Sequence, residues 1–233
     1  MQVQQPLLTI AIIAFNKSLC DTNPVMRLIS LLFSDPVAFV LLAVPLLYSL
    51  IIHEVAHAWV ADKVGDSTAR WAGRISLDPR RHLDPVGTIS LLLLGFGWAK
   101  PVPINDNNFR NHRLGLILVS SAGIAANIIV ACLTQIAYAL LKPAPYGSLY
   151  SVLSHFMMIN IILASFNLIP IPPLDGSKIL MGFSTKKFQY SLARLEPYGM
   201  FIVLGLLVFG LLDKPIFFIA TLIQFLIQLI LPF

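Results

Sequence analysis

Charge is what this sequence has little of. Only 12% of its 233 residues are Asp, Glu, Lys or Arg, where a soluble domain carries about 25%. With 57% hydrophobic residues and a mean hydropathy of +0.81, the chain is no ordinary soluble globule. It reads as a polytopic membrane protein. Cysteine is nearly missing too, with Cys20 and Cys132 the only two. Cys132 sits inside an apolar run, so a disulfide framework is not expected, and neither thiol has a metal-ligand spacing. The first apolar run lacks a basic leader and an A-x-A-like site, so no cleavable signal peptide is expected. The net charge of +5 does not point to nucleic acid, because the basic residues cluster in loops between apolar runs. That is the positive-inside pattern of membrane proteins.

Long apolar runs are what the sequence has instead. A bilayer-spanning helix needs about 20 mostly apolar residues. Residues 35–62, 114–141 and 151–169 meet that requirement. Residues 198–212 and 215–231 are two further runs, split by Asp213 and Lys214, and form a hairpin of spans. The expected fold class is an all-α polytopic membrane protein with five to six transmembrane helices. Asp35-Pro36 is a helix-start signal, and Pro45 is expected to kink the first clear span. Residues 1–34 read as an irregular span, a re-entrant pair or an interfacial segment. Residues 35–195 form a core of three spans. Within that core the polar region 64–113 holds short strands and a re-entrant stretch. Residues 196–233 form the C-terminal hairpin. The strands fall at Arg74–Leu77 and Ala99–Ile104, which alternate and are bounded by Gly, Pro and Asp. Val86–Trp98 is apolar but too short to span, so it suits a re-entrant or interfacial hairpin shielded by protein.

The chemistry sits near the end of the first clear span, in His53-Glu54-Val55-Ala56-His57. Two histidines four apart place both imidazoles on one helix face, one turn apart, and suit a tetrahedral Zn²⁺. Glu54 stands where a metalloprotease keeps the base that deprotonates a zinc-bound water. An HExxH arises by chance in many soluble chains, but ionisable groups at membrane depth are costly and mark function. If the helix leaves the membrane near Asp62, His57 lies about 7 Å inside and His53 about 13 Å. Water can reach that depth from the charged side.

A third ligand comes from far along the chain. The third span ends in Asn167-Leu-Ile-Pro-Ile-Pro-Pro-Leu-Asp175-Gly176. Its prolines end the helix and deliver Asp175 as a carboxylate at membrane depth. The spans alternate in direction, so Asp175 approaches the same face as His57. Two histidines and one carboxylate leave one coordination position open for water, as hydrolytic zinc requires.

With these residues in place, the chain resembles the site-2 proteases, the intramembrane zinc metalloproteases. The likeness covers about residues 35–212. It rests on His53-x-x-x-His57 with Glu54, and on Asn167-x-x-Pro170-x-Pro172-x-x-Asp175-Gly176. Gly73–Pro79 and Gly97–Pro103 are similar to the compact bacterial branch, which lacks an inserted PDZ domain. The resemblance implies one Zn²⁺ per chain, with His53, His57 and Asp175 as ligands and Glu54 as general base. It also implies that Asn167 helps hold substrate or the oxyanion. The implied substrate is a transmembrane protein or peptide, cut in or near its membrane segment. The implied setting is a bacterial cytoplasmic membrane, with the active site opening toward the cytoplasm. Ile124 departs from the family, which usually has proline there. The oligomeric state is not legible.

Two rival readings use the same residues: a metal-ion transporter or channel, and a catalytically silent scaffold. Clustering of all four groups at one depth argues against a path, and an intact base with three intact ligands argues against a scaffold. Other residues suit quieter roles. Asn127 is expected to be an interhelical hydrogen-bonder, His82 and His112 solvated or headgroup groups, and His155 a packed or interfacial histidine. Glu196 suits a helix cap, and Trp59, Trp71 and Trp98 suit interfacial anchors. A strand edge near 74–77 or 99–104 is expected to pair with unwound substrate.

Overall fold

A computed structural model describes residues 31–87, 89 and 100–231 of the chain. The expectations for residues 1–30, Trp98 and most of the 86–98 stretch lie outside the described residues.

Among the described residues, five helices are long and apolar enough to cross a membrane. α1 is Pro36–Val64, α2 is His112–Leu141 and α3 is Ser148–Asn167. A short helix, α4, follows at Asp175–Phe183. α5 is Lys186–Val208 and α6 is Asp213–Ile230. The protein is thus an all-α integral membrane protein. Local chemistry sets the ends. The Ala38 N–H donates to the Asp35 carboxylate at 3.0 Å, and Pro36 occupies the first turn, where its missing N–H costs nothing. The Leu114 N–H donates to the Asn111 side chain at 3.1 Å and starts α2.

α2 packs against α1 on one side and α3 and α4 on the others. Ala61, Leu116 and Val119 join α1 to α2. Leu46 meets Ile159 and Leu163 between α1 and α3. Ile124 and Ala131 of α2, Ile161 and Ala164 of α3, and Ile223 and Ile227 of α6 form another core. α5 and α6 are peripheral. Only 17% of their most apolar stretch is buried by protein, against 33–39% for α1–α3. Phe201, Phe217 and Phe218 stand exposed on them, as suits a face covered by lipid tails.

Three expectations change here. Neither 74–77 nor 100–104 is a strand among the described residues. The backbone donors there go elsewhere. Pro101 and Pro103 have no N–H to give. The Lys100 N–H donates to the His82 carbonyl at 2.8 Å, and the Val102 N–H donates to Glu54 Oε2 at 3.1 Å. A ladder needs alternate free donors, and this segment has spent them. Second, α5 begins at Lys186, not near residue 198. Glu196 and Pro197 therefore lie inside the helix and Glu196 is not its cap. Third, His82 is buried, with Nε2–H donating to the Ser76 carbonyl at 2.7 Å. His112 is exposed as expected and lies 3.2 Å from Asp106.

The connection after α1 is built on Asp66, which is fully buried. It accepts hydrogen bonds from the Thr68 N–H and hydroxyl, the Asn105 N–H at 2.7 Å and the Asn108 amide at 2.8 Å. One carboxylate thus fastens both ends of the 68–105 excursion to the end of α1.

Candidate metal centre

His53 and His57 project from one face of α1 toward α2, and both are buried. Their outer nitrogens are committed. His53 Nδ1 lies 2.6 Å from Asn127 Oδ1, and His57 Nδ1 lies 2.7 Å from the Val119 carbonyl. Both partners are oxygen acceptors, so each Nδ1 is the N–H donor. Each Nε2 is then left with a lone pair.

Those lone pairs face each other. The two Nε2 atoms are 2.9 Å apart, and Asp175 Oδ2 lies 3.3 Å from that of His53 and 3.1 Å from that of His57. Asp175 Oδ2 is buried and has no hydrogen-bond donor. Three acceptors converging without a donor repel one another. One proton could serve a single contact of the three, whereas a cation between them serves all. The spacing fits a particular cation. Zinc bonds of 2.0–2.1 Å at tetrahedral angles put ligand atoms about 3.3 Å apart. Among the described residues, His53, His57 and Asp175 are the group that could hold a metal ion.

The local sequence explains how Asp175 arrives. It is the first residue of α4, where helix N-terminal amides favour a negative charge. Gly176 follows because a Cβ there would lie 2.6 Å from the Ile169 carbonyl oxygen and closer still to that of Leu168. The turn before α4 can fold against its own first residues only without a side chain. Gly123 plays the matching part on α2. A Cβ there would strike His57 Nε2 and lie 2.5 Å from His53 Cε1. The helix backbone therefore forms a floor directly beneath the imidazoles.

Glu54, Asp175 and His57 line one cavity of about 1110 Å³. Arg74, Val102 and Lys178 also line it, and Glu196 of α5 contributes to its wall. The buried Arg74 donates through Nη2 to the Lys100 carbonyl. This ties down the segment whose Val102 N–H holds the Glu54 carboxylate. Asn167, the last residue of α3, is buried but does not line this cavity. Its Nδ2 donates to the Leu163 carbonyl at 3.0 Å, and its Oδ1 has no partner. His155, in α3, is half-buried and is no part of the ligand group.

The fold and this site together define a metal-dependent hydrolase embedded in a membrane. Comparison with known proteins makes the class specific. Residues 134–210 match the model of Peptidase family M50, a stretch that contains Asp175. The chain is 40% identical over 174 residues to "Putative zinc metalloprotease YwhC" of Bacillus subtilis, covering 72% of this chain and 80% of that protein. It is 29% identical over 182 residues to "Putative zinc metalloprotease Rip2" of Mycolicibacterium smegmatis, covering 76% and 70%. To "Zinc metalloprotease MJ0392" of Methanocaldococcus jannaschii it is 25% identical over 192 residues, covering 82% and 48%. No solved structure matches it significantly. The chain belongs to peptidase family M50, the site-2 proteases, and is a zinc metalloprotease of the membrane.

Several parts of the site were not singled out from sequence. Asn160 and Ser49 sit on the far side of Asn127 from His53. Their signal was present, as polar residues inside apolar runs, but their partners lie on other helices. The bond from Val102 to Glu54 had no sequence signal, because a backbone donor carries no residue-type signature.

Proposed function

We propose that the protein hydrolyses peptide bonds in or near the transmembrane segments of membrane proteins, with His53, His57 and Asp175 as zinc ligands and Glu54 as general base. The observation that carries this reading is the convergence of three donor-less acceptors on His53, His57 and Asp175, two of which line one cavity with Glu54. His53, His57 and Asp175 would hold a zinc ion, which would supply Lewis-acid chemistry that acidifies water and polarises a peptide carbonyl. Glu54 takes the proton of the attacking water and returns it to the leaving amine. The Val102 N–H keeps the carboxylate turned into the cavity, and Arg74 steadies the segment that carries it. Burial of the ligands within the helical bundle excludes bulk water from all sides but the cavity.

The substrate is a membrane-anchored chain that must unwind to expose its peptide bonds. Strand pairing with 100–104 needs amendment, because Pro101 and Pro103 offer carbonyls only. A substrate can donate to those carbonyls, but a full ladder would have to take the Val102 N–H from Glu54. Asn167 serves substrate or the oxyanion in this reading once its amide leaves the Leu163 carbonyl. The core 35–195, with 1–34 before it and the 196–233 hairpin after it, is the working unit. The basic residues of 63–113 and 178–194 support a cavity mouth facing the cytoplasm, in a bacterial cytoplasmic membrane.

Glu54→Gln keeps size and loses the base. It should retain one zinc per chain and lose cleavage by at least about 10²-fold. Membrane peptides that accumulate in a Glu54→Gln strain, identified by mass spectrometry, name the substrates. Undiminished cleavage by that variant would remove the mechanism, and zinc flux into liposomes without proteolysis would favour a transporter.

A further inference from the structure

Outside the ligand group, Asn127, Asn160 and Ser49 are polar residues within the spans, each fully buried. They come from α2, α3 and α1. Asn127 Oδ1 accepts from His53 Nδ1 at 2.6 Å. Asn127 Nδ2 donates to Asn160 Oδ1 at 2.7 Å and to the Ser49 carbonyl at 3.3 Å. Asn160 Nδ2 donates to the Phe156 carbonyl and to the Ser49 hydroxyl, both at 2.7 Å.

This order of donors has one consistent direction. The Phe156 carbonyl can only accept, so the NH₂ of Asn160 must face it. Asn160 then presents its oxygen to Asn127, and Asn127 must present its NH₂ there. That leaves only the Asn127 oxygen for His53. Turning either amide over would set two donors, or two acceptors, against each other in a buried site, which costs the full desolvation of the unpaired groups. The relay thereby fixes the His53 proton on Nδ1 and its lone pair on Nε2, the atom that faces Asp175 and His57. His57 obtains the same state from a backbone carbonyl, so His53 is the histidine whose state depends on side chains.

We propose that Asn127, backed by Asn160, is a positioning residue that locks the His53 tautomer and thereby sets zinc affinity. This rests on the assignment of His53 as a ligand. A plain interhelical hydrogen bond would contribute a little to stability in a membrane bundle and would leave metal binding alone. A tautomer lock acts on metal affinity, where groups behind a ligating histidine are worth about 10–100-fold.

The test uses the full chain purified in detergent, stripped with a chelator and titrated with zinc against a competing fluorescent chelator. Thermal melting of the zinc-free proteins runs beside it. Asn127→Ala should weaken zinc binding by about 10–100-fold. Asn127→Asp retains an acceptor for the His53 N–H and should restore most of the affinity. Asn160→Ala frees the Asn127 amide to turn and should weaken zinc in the same direction, by less. Unchanged affinity in Asn127→Ala, or equal losses in the Ala and Asp variants, would overturn the lock. Should Asn127→Ala fail to fold, the Asn160→Ala affinity decides, and an unchanged value overturns the proposal. A wild-type chain that takes up no zinc would remove the metal site itself, an outcome distinct from the lock failing alone.

Discussion

Replacing Gly123 by alanine sets two physical effects against each other. In most helix interiors this change stabilises, because alanine loses less backbone entropy, by about 0.5–1 kcal/mol. Here the added methyl would lie 2.5 Å from His53 Cε1 and 2.7 Å from His53 Nδ1, and nearer still to His57 Nε2. Comfortable carbon contacts are about 3.5–4.0 Å, so the helix or the rings must move by about 1 Å. Metal–ligand distances tolerate about 0.2 Å. Overpacking of this kind costs about 1–3 kcal/mol, which exceeds the propensity gain. The expected result is a variant whose zinc-free form is no more stable than that of wild type, and which loads with zinc to below half where wild type is saturated. Gly205 in α5 is the control, since a Cβ there meets nothing within 4 Å. Gly205→Ala should raise stability by about 0.5–1 kcal/mol and leave zinc untouched. Metal analysis of the purified proteins and thermal melts in detergent read both quantities. A Gly123→Ala protein with full zinc occupancy and raised stability would refute the close approach of α2 to the imidazoles.

Val102→Pro deletes a single N–H in a segment that already alternates with proline, so it should keep zinc while lowering the turnover number. Val102→Ala retains the N–H and should stay near wild type in steady-state cleavage of a fluorogenic membrane peptide. Asp66→Asn removes the charge that fastens 68–105 to α1 and should cost about 2–4 kcal/mol near neutral pH. Burial opposes the Asp66 charge, but the hydrogen bonds from Thr68, Asn105 and Asn108 outweigh it and hold the carboxyl below its usual range. A depressed folded value means this stability is present above the unfolded value of about 3.9. It is lost as pH falls from there through the lower folded value. Melting of wild type and Asp66→Asn at neutral pH and near pH 3 should therefore show the gap closing in acid.

The spans were legible because burial in lipid demands long apolar runs, and 35–62 and 114–141 lie within two residues of α1 and α2. The candidate metal group is legible because His53 and His57 share a helix face and Asp175 follows a proline-rich stop. What failed was local pattern taken without its partners. Arg74–Leu77 and 100–104 have the alternation of strands, yet Glu54, Asp66 and His82 take up the polar groups that a ladder would need. Glu196-Pro197 has the look of a helix entry, but α5 continues through it. The arginine neighbours of His82 suggest solvent or headgroup contacts, whereas the fold buries it against the Ser76 carbonyl. The strand misses concern tertiary partners distant in sequence, such as Glu54 for Val102, which periodicity and spacing do not encode.

The most direct measurement is X-ray absorption at the zinc edge of the purified full chain. It should show one zinc per chain in a first shell of nitrogen and oxygen near 2.0–2.1 Å, with outer-shell scattering from two imidazoles. Asp175→Ala should change that shell. A sulfur shell near 2.3 Å, or a spectrum that stays the same without His53, His57 or Asp175, would contradict the account.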